Sequence, residues 1–213
     1  RVLFAVAAQL GAYLRPTQPA AESGDVGGPA KADVDGPRLR ISCLGPFKVV
    51  LDGRPVPTSR FQRFKALKLL KFLVAHRGRL VPRETLMEFL WPETDPARAS
   101  GNLRVVLHAL RRTLEPDLGS RQASSFIVGQ GDLVCLDPSG RVWVDEEEFV
   151  QTARAAARLA SQGQIEEALA EYRAAASLYH GEYLEDEPYS DWCLFERERL
   201  KEVYINLMEQ MTS

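Results

Sequence analysis

The sequence is poor in the features that stabilise small secreted proteins or anchor a chain in a membrane. Its 213 residues contain only three cysteines, at positions 43, 135 and 193, far apart and without Cys-x-x-Cys spacing. That number and spacing exclude a disulfide scaffold and a zinc finger, and they favour a reducing, cytoplasmic setting. No apolar run reaches the roughly 18 residues that a membrane-spanning helix requires. Hydrophobic residues make up 45% and charged residues 26%, as in a globular chain of one or two domains.

Recognisable catalytic and metal-binding patterns are also missing. His76, His108 and His180 are scattered along the chain, and none has a cysteine or carboxylate at metal-ligand or triad-like spacing. The Gly129-Gln130-Gly131 segment precedes a predicted strand and is not followed by Gly-Lys-Ser/Thr, so it is not a phosphate-binding loop. We therefore expect no cofactor, no metal and no enzymatic activity.

The formal net charge of −2 conceals a strong division along the chain. Residues 1–38 are neutral, residues 39–140 carry a net charge of +7, and residues 141–213 carry −9. These segments predict three units with different partners. A basic globular unit is typical of nucleic-acid binders, although chance asymmetry between two solvated surfaces would give the same charges.

The first unit, residues 1–38, is predicted to be an apolar stub followed by a flexible linker. Residues 2–14 are apolar, whereas residues 15–38 are rich in Pro, Gly, Ala and Asp and have no periodicity. Because position 1 is Arg rather than Met, we expect the chain to be a piece of a longer protein. A signal-peptide core or a truncated membrane segment is the alternative for the stub.

The middle unit, residues 39–140, is predicted to be an α+β winged helix-turn-helix with an N-terminal β-sheet. Alternating residues around Asp52-Gly53 predict short strands, and apolar periodicity predicts a helix over about 61–76. Pro82 opens a second helix, and Ser100 is the expected N-cap of a third over about 100–115. Two apolar runs flanking residues 129–132 predict a hairpin, the wing.

The third predicted helix has the chemistry of a groove-reading helix. Leu103, Leu107, Leu110 and Leu114 share one face, and no acidic residue lies between positions 100 and 113. Arginine pairs with guanine and small apolar groups meet the thymine methyl, so the opposite face is expected to read a major groove. An ordinary solvated face is the alternative. The base-facing candidates are Arg104, Val105, His108, Ala109 and Arg112, and the phosphate candidates are Arg60, Arg63, Arg98, Arg111 and Arg121.

The lysines of the first predicted helix lie off its apolar stripe. We expect Lys65, Lys68 and Lys71 to be solvated, with phosphate contact as the alternative.

The acidic tail, residues 141–213, is predicted to be a helical module. Asp145 is expected to be the N-cap of its first helix, with Glu148 completing a capping box. Two helices joined at Gly163 resemble one tetratricopeptide-type unit, and a third helix begins near Trp192. The acidic pair Asp186-Glu187 is expected to be solvated. The apolar stripe of the third helix runs to the end of the sequence, so further helices or a partner are expected to cover it.

Several motifs resemble the SARP family of bacterial transcriptional activators, over roughly residues 39–213. The motifs that resemble the family's DNA-binding half lie at residues 44–47, 52–53, 66–70, 90–92 and 98–114. The most specific of them is N-L-R-x-x-L-x-x-L-R-R-x-L at 102–114. The motifs that resemble the bacterial transcriptional activation domain lie at residues 145–149, in the G-Q-I-E-E-A-L-x-x-Y segment at 163–172, and at residues 178–181 and 192–200. The wing departs from related domains, which often carry an aromatic residue where this chain has Leu133.

The resemblance implies an OmpR-like winged helix that binds double-stranded promoter DNA at direct repeats, one repeat for each protomer. It also implies contact with the RNA polymerase holoenzyme and self-association on DNA, with the helical module docked on the winged helix. The family's module is longer, so only its first part would be present. A tetratricopeptide-like interaction adaptor, with the winged helix used for protein docking, is the rival hypothesis.

Overall fold

A computed structural model describes residues 38–61, 64–119, 122–137 and 139–212. The predicted stub and linker lie outside these residues, except for Arg38. The chain order is β1 (Leu39–Ser42), β2 (Lys48–Leu51), β3 (Arg54–Val56), a 3-10 turn (Thr58–Arg60), α1 (Phe64–Ala75), β4 (Val81–Pro82), α2 (Arg83–Leu90), α3 (Pro96–Leu114), β5 (Ile127–Gln130), β6 (Leu133–Leu136), β7 (Val142–Val144), α4 (Asp145–Ser161), α5 (Ile165–Ala176) and α6 (Asp191–Thr212). The α+β class and the predicted order of strands and helices are confirmed.

The N-terminal sheet has the strand order β3-β2-β1-β7. Strands β2 and β3 pair antiparallel around Asp52 and Gly53, which have φ values of 46° and 75°. Two consecutive residues with positive φ suit a tight hairpin, because they match the twist of the strands, and the predicted turn is confirmed. Strand β7 pairs parallel with β1, with Leu39 opposite Val142. The chain thus returns to this sheet immediately before α4.

Helices α1, α2 and α3 and the β4-β6-β5 sheet form the winged helix. The hairpin closes at Gly131, with a φ of 58°, and Gln130 pairs with Leu133, so the predicted wing is confirmed. The expected N-cap of α3 is wrong. Asp95, not Ser100, accepts hydrogen bonds from the Ala97 and Arg98 amides at 3.0 and 3.2 Å. Pro96 occupies the first turn, where no backbone donor is needed, so the helix begins four residues earlier.

The predicted capping box at Asp145 is also wrong. The N-cap of α4 is Val144, with no side-chain cap, because β7 leads directly into the helix. The buried Asp145 carboxylate instead accepts hydrogen bonds from the amides of Cys43, at 2.8 and 3.0 Å, and Leu44, at 3.2 Å. It therefore satisfies backbone donors at the end of β1 and ties α4 to the N-terminal sheet.

The helical module packs against the end of β1 in the N-terminal sheet through a close backbone approach. The Gly45 amide donates to the Glu182 carbonyl at 3.1 Å, and the Leu184 amide donates to the Cys43 carbonyl at 2.8 Å. A Cβ atom on Gly181 would lie 3.0 Å from the Gly45 Cα, so a side chain there would force the two segments apart. Buried residues of both units form one continuous hydrophobic core.

Lys71 and Glu187 contradict the prediction that they are solvated, whereas Asp186 is exposed as predicted. Lys71 is buried on α1, and its Nζ donates to Asp186 Oδ2 at 2.6 Å and to Glu187 Oε1 at 2.9 Å. Burial favours the neutral form of Glu187, but hydrogen bonds from Lys71 and Ser190 outweigh it and lower the pKa of that carboxyl. These ion pairs of the buried Lys71 join the winged helix to the helical module.

The other two lysines of α1 are half-buried rather than fully solvated. Lys65 donates to the Leu90 carbonyl and lies 4.9 Å from the ring centroid of Trp91. Lys68 lies 5.0 Å from that of Phe89, so both ammonium groups pack towards α2.

Within the described part of the chain, no helix has the length and apolar composition needed to cross a membrane.

Candidate nucleic-acid interface

Helix α3 is oriented by its leucines. Leu103, Leu107, Leu110 and Leu114 are all buried, as predicted, and Val106 joins them in the core. Burying such side chains contributes roughly 1.5–3 kcal/mol each, so this face is held firmly against α1 and α2. The opposite face of the helix is consequently directed outwards.

Four of the five predicted base-facing side chains are exposed on that outer face. Arg104, His108 and Arg112 are exposed, Val105 is 45% exposed, and Ala109 is half-buried. Arg112 makes one long hydrogen bond, 3.4 Å to the Leu118 carbonyl. The structure thus brings cationic donors and a small apolar side chain together on one helical surface.

Arg111 lies between α3 and the wing. It is half-buried, and its Nε and Nη2 donate to the Ile127 carbonyl of β5 at 3.3 and 3.2 Å. Burial, and then the nearby guanidinium of Arg83, lower the pKa of Arg111. The side chain therefore positions the wing against the helix, a role that a helical wheel does not indicate.

The remaining phosphate candidates are distributed around α3. Arg98 is exposed in the first turn of the helix. Arg60 is exposed in the 3-10 turn, and its carbonyl oxygen accepts a 3.5 Å hydrogen bond from the Thr113 hydroxyl, so it lies near the other end of α3. Arg63 and Arg121 lie outside the described residues.

Arg83 is a candidate that the sequence does not single out. The structure places Arg83 at the start of α2, where its backbone amide donates to the Asp132 carbonyl in the wing at 2.8 Å. The signal that could have found it is a basic residue at the first turn of the helix that precedes the groove-reading helix.

Neither the cysteines nor the acidic groups form a metal centre in the described part of the chain. No group of three or more His, Cys, Asp or Glu residues there is arranged to hold a metal ion. All three cysteines are free and buried. Burial and the neighbouring Asp145 carboxylate raise the pKa of the Cys43 thiol well above its ordinary value.

Two protein-family models match this chain in succession. "Transcriptional regulatory protein, C terminal" matches residues 63–131, which include α1, α2, α3 and the first wing strand. "Bacterial transcriptional activator domain" matches residues 144–213, which include the three helices of the module. This order of domains defines the class of bacterial transcriptional regulators.

Curated relatives belong to the same class. The transcriptional regulatory protein EmbR of Mycobacterium tuberculosis is 29% identical over 154 residues, covering 70% of this chain and 37% of EmbR. The regulatory protein DnrI of Streptomyces peucetius is 28% identical over 155 residues, covering 70% of this chain and 54% of DnrI. The chain therefore spans about a third to a half of the length of these relatives.

A solved structure shares the fold. Mycobacterium tuberculosis EmbR, in complex with a low-affinity phosphopeptide, matches with a TM-score of 0.67 and 25% sequence identity. The match covers 80% of this chain and 44% of that one. The chain thus carries a transcriptional regulatory C-terminal domain followed by a bacterial transcriptional activator domain, and it is similar to the transcriptional regulators EmbR and DnrI.

Proposed function

We propose that this chain binds promoter DNA sequence-specifically and activates transcription, with α3 in a major groove. The observation that carries the proposal is the outer face of α3, where Arg104, His108 and Arg112 are exposed beside Val105. Arginine pairs bidentately with guanine, and a small apolar side chain meets the thymine methyl. The buried leucine face would hold this surface in a fixed orientation on the duplex.

Residues 39–140 would form the DNA-binding unit, and residues 141–213 the activation module. Arg60, Arg98 and Arg111 lie around α3, where phosphate contacts would set the register of the helix. Arg63 and Arg121 remain phosphate candidates from the sequence. We place the protein in the cytoplasm, where promoter DNA is accessible in bacteria.

The helical module would supply protein contacts. Tyr189 and Phe195, before and within the first turns of α6, are 97% and 82% exposed. Large exposed aromatic side chains mark protein-interaction surfaces when they cluster. By family resemblance, each protomer would occupy one direct repeat, with the RNA polymerase holoenzyme bound nearby and neighbouring protomers in contact.

Selection from a pool of random duplex DNA, sequenced at two salt concentrations, tests the DNA-binding proposal. We expect enrichment of a repeated motif and an affinity that falls steeply with salt. Salt-sensitive binding without a motif would contradict sequence-specific reading. No binding at low salt would overturn the proposal and favour the rival, a protein-interaction adaptor.

A further inference from the structure

The wing, the start of α2 and the inner flank of α3 meet at a basic junction that the proposed base-reading face does not use. Strand β6 lies between β4 and β5, so Pro82 and Gln130 both pair with Leu133. Arg83 follows Pro82 directly, and its amide donates to the Asp132 carbonyl in the hairpin turn at 2.8 Å. This backbone contact fixes the position of Arg83 beside the tip of the wing.

Arg111 approaches the same junction from α3. Its guanidinium is held at the Ile127 carbonyl, and a Cβ atom placed on Gly129 would lie 3.5 Å from its Nη2. Because neighbouring strands lie about 4.8 Å apart, β4 and β5 are separated by roughly 10 Å. Two arginine side chains that extend from either side of β6 are long enough to share a ligand across this distance.

The junction contains two arginines, and the acidic residues Glu84 and Asp132 lie next to them in the chain segments that meet there. The positive charge of Arg83 lowers the pKa of Arg111. The two guanidinium groups therefore lie close enough to repel each other. The carboxylate of Glu115, which acts favourably on the charge of Arg111, is already bonded to the Ser124 hydroxyl and the Ser125 amide. Among the described residues, no carboxylate forms an ion pair with either arginine.

We infer that Arg83 and Arg111 together hold one phosphate of the DNA backbone, on the strand that passes between α3 and the wing. A phosphate bound there would neutralise the repulsion between the two guanidinium groups and accept charge-assisted hydrogen bonds from both. This inference rests on the proposed function, and it adds Arg83 to the interface as a positioning residue that carries no sequence information. Glu84, the next residue of α2, is an exposed acid in the same helical turn. The Arg83 side chain therefore has to extend past the Glu84 carboxylate to reach the phosphate.

The test measures the salt dependence of binding to a duplex enriched from the random pool, using the whole 213-residue chain. Loss of one phosphate contact lowers the slope of log affinity against log salt concentration by about 0.9. We expect that shift in Arg83→Gln and no shift in Arg173→Gln, a matched control that removes one exposed arginine from α5. Both variants should melt as the wild type does.

A second measurement assigns the phosphate. Duplexes with a single uncharged methylphosphonate at each successive position should reveal one position that weakens the wild type but has no further effect on Arg83→Gln. Binding by Arg111→Gln should likewise not be weakened further when the methylphosphonate stands at that position. The role of Arg111 in holding the wing is monitored by the melting temperature of this variant.

The outcomes separate this inference from the proposed function. If the wild type binds the duplex and Arg83→Gln keeps the wild-type slope, the inference fails and the proposed function stands. If the two arginine variants lose sensitivity at different phosphates, the shared site is wrong. If the wild type binds no duplex at low salt, both are overturned.

Discussion

Removing the acidic partners of Lys71 should destabilise the fold more than removing Lys71 itself. The Lys71 side chain keeps only 4% of its surface exposed, whereas the side chains of Asp186 and Glu187 keep 42% and 13%. A buried charge that loses its partner costs about 3–5 kcal/mol of unfolding free energy. A carboxylate with access to water costs less, because solvent replaces the lost interaction.

The magnitudes follow from this asymmetry. The double variant Asp186→Asn/Glu187→Gln leaves the ammonium group buried without an anion, so we expect a loss of about 3–5 kcal/mol. Lys71→Met keeps most of the side-chain volume. Asp186 then remains in contact with solvent and Glu187 keeps its hydrogen bond from Ser190, so we expect a loss of about 1–2 kcal/mol. Adding Lys71→Met to the double variant should recover most of its loss, since no buried charge remains.

Urea unfolding followed by tryptophan fluorescence measures these differences. Trp192 reports on the region directly, because its ring lies 5.8 Å from that of Phe72, the residue after Lys71. Glu185→Gln is the matched control, since it removes an exposed charge from the same loop. The reasoning is refuted if the double variant stays within about 0.5 kcal/mol of this control, the usual range for a surface substitution. It is also refuted if Lys71→Met is the more damaging change.

Three further predictions concern α3 and α4. Leu107→Ala should lower the unfolding free energy by about 2–5 kcal/mol in a denaturant titration, and unchanged stability would mean that the buried face of α3 is misassigned. Arg112→Ala should weaken binding by about 1–3 kcal/mol and relax specificity at one base pair in a binding assay across single-base variants; equal weakening on all sequences would make it a phosphate contact. Burial, and then the Glu196 carboxylate, raise the pKa of Glu146 to about 8. Since the folded state then holds this proton more tightly, its stability contribution is present below about pH 4.5 and is lost as pH rises to about 8. Glu146→Gln should flatten that decline in melting temperature, and a decline identical to that of the wild type would exclude Glu146 as its source.

The elements that sequence reasoning placed correctly are those whose signal is local. The leucines of α3 recur at helical spacing, because a helix buries one face whatever lies beneath it. The Asp52-Gly53 turn is equally local, since positive φ at consecutive positions restricts the residue types. Both features required no knowledge of distant parts of the chain.

The errors occur where a side chain serves a distant partner. Asp145 stands in a run of four acids at a helix start, which a cap or the helix dipole explains well enough. Its actual partner is the Cys43 amide, 102 positions away in sequence. Lys71 is likewise 115 positions from Asp186, and helical spacing alone indicates only that it lies off the apolar stripe of α1.

The candidate interface shows the same division. The helical wheel indicates that Arg104, His108 and Arg112 lie away from the leucines, and the structure places all three on the exposed face of α3. The wheel gives the angle of Arg111 but not the position of the wing, so it does not indicate the bond to Ile127. The sequence places Arg83 in the first turn of α2, but only the tertiary structure brings it beside the wing and near Arg111.

The long-range contacts that the sequence did not indicate also connect the two units mechanically. Helix α1 supplies Lys71, which bonds to the loop before α6, while Arg77, just after α1, donates to the Glu147 carboxylate of α4 and to the Val142 carbonyl of β7. The same helix packs against α3 through the shared core. Because α1 is held on both sides by buried contacts, the exposed aromatic residue Phe195 has a fixed position relative to the groove-reading helix. A partner protein bound there would accordingly be held at a defined position relative to α3, without any flexible connection between the two units.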